Sequence, residues 1–388
     1  MRMYRNLLLV ISFCLAACQQ VPQATAPNEP IAPALPQLDL SQVPAPAELT
    51  ALTETQRKTF ADFLKRSTYR KYPLEERVGL FLTEMTMGFQ YDGVTYTASQ
   101  TMESNAGNCI SLALLAKALA DEAQVPISFR VTYRDPVLDI QNDLLISAAH
   151  VRSYLHGSVT VDENGKLQPE NSVTIDYFKD SLDYLGPRIS NDTFMAMVYN
   201  NYAADALMKQ DLVQAKAFTV AALKLDVSYA PSINMLAVVL RREGRFEEST
   251  AWYEYGLVRN PHNIMLLANY QLLASETANT ALQQRLQQTL DQLPESDNPY
   301  AWYSLAVQAE QQGQSRQALH FYEKLLAKAP YLLPANQAMV RLLLQQNRLR
   351  EAQIVLKKAL EYSYTPEKRA IFEQKLAGLR KLQQQESD

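Results

Sequence analysis

The chain has 388 residues, 47% of them apolar and 20% charged, with a formal net charge of −4. That length predicts two or three domains with hydrophobic cores of their own. Mild acidity without a basic patch excludes nucleic acid as the expected partner, and only 11 glycines suit a helix-rich fold.

Arg2 and Arg5 precede an apolar run from Leu7 to Leu15. This is the layout of a secretory signal peptide, too short for a transmembrane span. The run ends in Leu15-Ala16-Ala17-Cys18, which resembles a bacterial lipoprotein cleavage site. The resemblance implies loss of residues 1–17, Cys14 included, and lipidation of Cys18, which then anchors the protein to a membrane by more than one acyl chain. Gln19, rather than Asp, after the cysteine implies the outer membrane of a Gram-negative bacterium, facing the periplasm. Residues 18–46 carry Pro22, Pro27, Pro30, Pro33, Pro36, Pro44 and Pro46 with little apolar bulk between them. They read as an extended, largely disordered tether.

Residues 47–185 read as an α+β domain. Leu52, Phe60, Phe63 and Leu64 have helical spacing, as do Val78, Leu80, Phe81 and Met85. Asp92-Gly93 marks a turn. A helix is expected over Ser111–Ala123, with Leu112, Leu115, Leu119 and Ala123 on one face and Pro126 beyond its end. The period then changes to two over 127–131, 151–155 and 173–177, which predicts half-buried strands. Residues 162–166 (Asp-Glu-Asn-Gly-Lys) read as a hairpin turn.

Residues 190–365 are helical throughout and repeat. Ala215, Ser249, Ala318 and Ala352 are separated by 34, 69 and 34 residues. A period of 34 is that of the tetratricopeptide repeat. Leu236, Ala237, Gly244, Tyr253, Gly256 and Pro261 fill one unit, and Trp302, Leu305, Ala306, Gly313, Tyr322 and Pro330 another. The double gap predicts a degenerate third unit over 262–297 with one residue inserted, giving about five units. Residues 366–388 read as a capping helix with a polar tail.

Cys109 stands in Gly107-Asn108-Cys109-Ile110-Ser111, at the start of the helix. Apart from Cys18 it is the one thiol left after the leader is lost. A lone thiol in an oxidising compartment has no disulfide partner. His150 and Asp176 follow on strand-like segments, 41 residues after Cys109 and 26 after His150. The stretch Gln100–Ala123, with Ala-His150-Val-Arg and Asp176, resembles the transglutaminase-like superfamily over roughly residues 75–180. The resemblance implies a papain-like domain in which a Cys opens a helix packed on an antiparallel sheet, with His and Asp on adjacent strands. Cys109, His150 and Asp176 would be its catalytic residues, with Gln100 and Asn108 as possible oxyanion support. A helix N-terminus and a neighbouring imidazolium both lower a cysteine pKa, so a thiolate is expected. His156 is a rival for the histidine role, and Asp180 and Asp183 for the acid. The four histidines lack ligand spacing, so neither metal nor cofactor is expected.

The sequence therefore predicts an α+β transglutaminase-like (papain-like) domain followed by an all-α tetratricopeptide-repeat solenoid. The expected function is thiol acyl transfer on a peptide or carboxamide bond, by a cysteine peptidase, amidase or acyltransferase, with the repeats binding a protein or peptide. Hydrolysis is favoured over cross-linking, because water is abundant and no amine-binding site can be read; Ile110 stands where better-known transglutaminases carry Trp, so the resemblance does not imply cross-linking. The alternatives are a catalytically inactive scaffold lipoprotein in an envelope complex and a redox-sensing thiol.

Overall fold

Helix α2 (Glu54–Lys65) begins where Thr53 and Gln56 cap each other: each side chain accepts from the other's backbone N–H. The computed structural model describes residues 30–141, 144–157, 172–175, 184–292, 302–303, 306–307, 309–310, 313–330, 332–363 and 366–385. Before α2 lies the single turn α1 (Pro46–Leu49), and after it α3 (Leu74–Met85). The apolar spacing pairs α2 with α3. Phe81 meets Phe60 and Phe63 at ring-centroid distances of 4.9 and 5.1 Å.

Helix α4 spans Ala98–Ser104 and α5 spans Cys109–Glu122. The α5 helix starts two residues before the expected Ser111, because Asn108 supplies its cap. It is buried on nearly every side rather than on one face, as befits a helix at the centre of a core.

The sheet against α5 has strand order β5-β4-β3-β6. Strand β3 runs Ile127–Gln141, β4 Leu144–His156, β5 Ser172–Ile175 and β6 Tyr184–Ile189, all antiparallel. Phe129 faces Ser153 and Val131 faces Val151 in the register. These four and Leu155 are buried, which is the alternation the sequence shows. Both long strands continue past the alternating runs. The expected turn at 162–166 lies outside the described residues. Strand β6 was not anticipated, because Gly186 and Pro187 break its pattern; Pro is tolerated at a sheet edge, and that is where β6 lies.

The repeats follow, and the first part of their first helix belongs to the core of the α+β part. Hairpins form from α6 (Asn191–Met208) with α7 (Leu212–Leu225), α8 (Ala230–Arg242) with α9 (Phe246–Arg259), and α10 (Ile264–Glu276) with α11 (Thr280–Asp291). The described residues of 302–310 are helical and precede α12 (Ser315–Lys328). A last hairpin, α13 (Leu333–Gln345) with α14 (Leu349–Glu361), is capped by α15 (Pro366–Gln385), which buries Phe372, Leu376 and Leu379. Ala215, Ser249, Ala318 and Ala352 are fully buried, so the 34-residue spacing marks close helix contacts. At Gly256 an added Cβ would come within 2.8 Å of Leu266 and 3.0 Å of Ile233.

The turn inside each hairpin holds one left-handed residue: Gln210, Gly244, Ala278, Gly313 and Asn347. Their separations are 34, 34, 35 and 34 residues, which places the inserted residue between Ala278 and Gly313. The expected third unit is thus a helical hairpin like its neighbours, with Ala where Gly marks others.

Two sequence expectations are corrected. The α+β part does not end at 185: β6 extends it to Ile189, and its core includes Phe194–Tyr199 of α6. The described part of the tether is not disordered either. The described residues from Ala32 onward belong to one compact unit. Ala32, Leu35, Leu38 and Leu40 pack on the core of the first three repeats, and Val43 packs on that of the α+β part. The Tyr199 hydroxyl donates to Pro44 O at 2.6 Å. Composition alone cannot show that a proline-rich segment has a surface to lie on. Among the described residues no helix is long and apolar enough to cross a membrane.

Candidate functional site

A two-residue parallel pairing shapes the entry to α5. Strand β1 (Gln90–Tyr91) pairs with β2 (Ala106–Gly107), Tyr91 opposite Gly107. The expected turn at Asp92-Gly93 is present, with Asp92 accepting from Val94 N–H at 3.0 Å and Gly93 at φ +80°. Gly107 has φ +141°, and a Cβ there would lie 2.7 Å from Ser111 Cβ. Only glycine leaves room for Ser111, whose hydroxyl accepts from Tyr96 N–H at 2.9 Å and donates to Val94 O at 3.1 Å.

Asn108 closes this arrangement. Its Oδ1 accepts from Ser111 N–H at 2.9 Å, and its amide donates to Thr95 Oγ1 at 2.8 Å and Gly93 O at 3.2 Å. Both ends of the side chain are committed, so Asn108 is a helix cap rather than a donor held for an oxyanion. Gln100 is further away in role. It is exposed, and it accepts from Thr97 N–H as part of the α4 capping box. The Thr97-x-x-Gln100 spacing is itself a cap signature.

Cys109 is the first residue of α5 and is 8% exposed. Backbone N–H groups of Val151, Ile110 and Cys109 itself favour a negative sulfur, yet burial outweighs them and pushes the thiol up to about 11. Burial thus works against the expected thiolate. Burial, aided by Cys109 and Asp92, also pushes the Tyr91 hydroxyl up.

A cavity of about 220 Å³ lies at this helix start, lined by Tyr91, Gly93, Asn108, Cys109 and Ile110 on the α+β side. His150 of β4 lines it too. The structure thus brings Cys109 and His150 to one pocket. His156 is elsewhere in the sheet: it is buried, with Nε2 2.7 Å from Ser128 Oγ. His262 and His320 are exposed in the repeats. Asp176, with its rivals Asp180 and Asp183, and Cys18 lie outside the described residues.

The rest of the pocket comes from the helical hairpins, and here the comparisons with known proteins bear. Residues 309–367 match the family model described as tetratricopeptide repeat. The chain carries tetratricopeptide repeats. Among solved structures it is similar to pilF of Pseudomonas aeruginosa (19% identity, 50% of this chain and 87% of that one, TM-score 0.34). It is also similar to yeast Tom70 (15% identity, 50% of this chain and 41% of that one, TM-score 0.38). A tetratricopeptide repeat protein from Parabacteroides merdae is a third (20% identity, 46% and 72% covered, TM-score 0.28). No curated protein matches the chain.

The first two tetratricopeptide repeats contribute Met197, Asn200 and Asn201 from α6, and Tyr229 and Pro231 at the start of α8, to the pocket wall. Asn201 donates to Thr95 Oγ1 at 3.4 Å, so the repeat helix is tied to the loop that Asn108 also holds. Asn200 accepts from Ser232 Oγ at 3.1 Å, joining α6 to α8. Sequence reasoning missed these residues. The Asn200-Asn201 pair, which interrupts the apolar run Phe194–Tyr199, was the one available signal. Among the described residues the lining holds no Asp, Glu, Lys or Arg, which suits a neutral amide or peptide group better than an ion.

Proposed function

We propose that this chain is a protein-binding scaffold whose tetratricopeptide repeats hold a segment of a partner protein. The observation that carries this reading is the stack itself: hairpins at 34-residue spacing, closed by α15, with residues 309–367 matching the repeat family. Such stacks present extended surfaces for binding. The burial of Cys109, which raises its pKa, agrees with it.

We place this scaffold on the outer membrane, facing the periplasm and anchored through lipidated Cys18. The support is Arg2, Arg5, the Leu7–Leu15 run and Leu-Ala-Ala-Cys18. Metabolic labelling with palmitate tests it: incorporation is expected in the wild-type chain and lost in Cys18→Ala.

A second reading is favoured by one observation, the pocket shared by Cys109 and His150. In it Cys109 attacks a carboxamide or peptide carbonyl and its proton passes to His150. His150 returns that proton to the departing amine, leaving a thioester that water resolves. Asp176 would orient His150 in this reading, as the third member of a transglutaminase-like triad.

Cys109→Ala in the intact chain separates the two. A scaffold keeps its partner cross-links in cells and its folded circular dichroism spectrum. An enzyme keeps the spectrum but loses its cellular effect, and His150→Ala loses it too.

A further inference from the structure

We propose that the surface of the first three repeats that receives residues Ala32–Leu40 is a recognition site for a polyproline II peptide, with the chain's own segment as its resident ligand. The segment reads Ala32-Pro33-Ala34-Leu35-Pro36-Gln37-Leu38-Asp39-Leu40. Aliphatic side chains recur at every third position, next to two prolines. Three residues per turn is the repeat of the polyproline II helix. From Ala32 to Leu38 exposure follows the same period, Ala34 and Gln37 being exposed and Ala32, Pro33, Leu35, Pro36 and Leu38 partly buried; at Asp39 (exposed) and Leu40 (partly buried) the period ends. The segment is neither helix nor strand, and Ala32, Leu35, Leu38 and Leu40 pack on the core of the first three repeats.

The way the segment is held makes it exchangeable. A polyproline II chain has no internal hydrogen bonds and a solvated backbone, so its side chains carry the recognition. The segment turns at its C-terminal end, where Val43 N–H donates to Leu40 O at 2.9 Å and Ser41 N–H to Asp39 at 2.9 Å. Tyr199 then pins Pro44. That anchor keeps the segment near its groove at an effective concentration on the order of millimolar, which favours the internal ligand over a free one. A second protein presenting an aliphatic side chain at every third position between prolines, with little charge, fits the same surface once the internal segment is weakened. Such a site rests on the protein-binding reading above and gives it a ligand class. It is independent of any chemistry at Cys109.

The test uses the intact chain and a fluorescein-labelled peptide with the sequence of residues 30–42, followed by anisotropy. Leu35→Ser/Leu38→Ser/Leu40→Ser is introduced into the chain to undock its own segment. The peptide is expected to bind this variant at least about tenfold more tightly than wild type, as removal of an internal competitor requires. A peptide with Pro33 and Pro36 replaced by Gly is expected to bind more weakly. Equal, weak binding to both chains, with the variant folded by circular dichroism, would overturn the proposal. If the triple variant fails to fold, a fluorescent amino acid at exposed Ala34 in otherwise wild-type chain reads the exchange directly. Millimolar unlabelled peptide must then shift its emission, and no shift overturns the site. Partner cross-linking by the Cys109→Ala chain is read separately, so loss of this site is distinguishable from loss of the scaffold.

Discussion

Phe129 of β3 and Phe194 of α6 stack face to face, with ring centroids 3.9 Å apart and planes 8° from parallel. Both rings are fully buried. The sheet and the first repeat helix therefore share one core, and that contact fixes α6, whose next turns supply Met197, Asn200 and Asn201 to the Cys109 pocket. The site is built jointly by the α+β part and the repeats.

Phe194→Ala removes this contact and leaves a cavity. The expected loss is about 3–5 kcal/mol, read as a lower urea midpoint. Because the pocket wall moves with α6, the same variant should alkylate at Cys109 faster than wild type under native conditions.

Gly107→Ala forces an L-residue to φ +141° and drives its Cβ against Ser111. A loss of more than about 1 kcal/mol is expected, with the Asn108 cap disrupted. Ser111→Ala/Gly107→Ala keeps the Ser111 Cβ that is struck, so it should recover little of the loss in thermal unfolding.

Ala278 occupies a left-handed position, φ 51°, where two other repeats carry Gly. Ala278→Gly relieves about 1–2 kcal/mol of strain against an entropic cost of about 0.5–1 kcal/mol. A net gain of roughly half to one kcal/mol is expected. An unchanged or lower melting temperature would show that the turn carries no strain.

The thiol of Cys109 links stability to alkaline pH. Its folded value of about 11 lies above that of an unfolded thiol, about 8.5. Between the two, the unfolded chain gives up its proton first. Stability is whole below about pH 8.5 and falls as pH rises toward the folded value, by up to about 1.4 kcal/mol per unit. Urea midpoints from pH 8 to 10 should fall more steeply in wild type than in Cys109→Ala. Tyrosine titrations other than that of Tyr91, which Cys109 helps to raise, are common to both chains.

The repeats were legible because close helix packing demands small residues at fixed spacing, and Ala215, Ser249, Ala318 and Ala352 supply them. The third unit was faint because few of the expected repeat residues stand in it, apart from Pro294. Helix α5, the start of β3 and the end of β4 could be read from periodicity, and the pocket does join Cys109 with His150. What stayed hidden depends on distant chain. Tyr229 approaches Cys109 only through the fold, and the docking of Leu35 and Leu38 depends on a surface formed by the repeats. The position of Cys109 at a helix start suggested a low pKa, but burial is set by surrounding elements and reverses the sign. The capping role of Gln100 was legible too, since its partner Thr97 stands three residues before it.

The pH dependence of Cys109 alkylation in the intact chain, beside His150→Ala, tests the scaffold account most directly. That account predicts slow reaction at neutral pH in both chains, with an apparent pKa near 11. Fast reaction at pH 7 with an apparent pKa well below about 8.5, raised by His150→Ala, would contradict it and establish a thiolate–imidazolium pair.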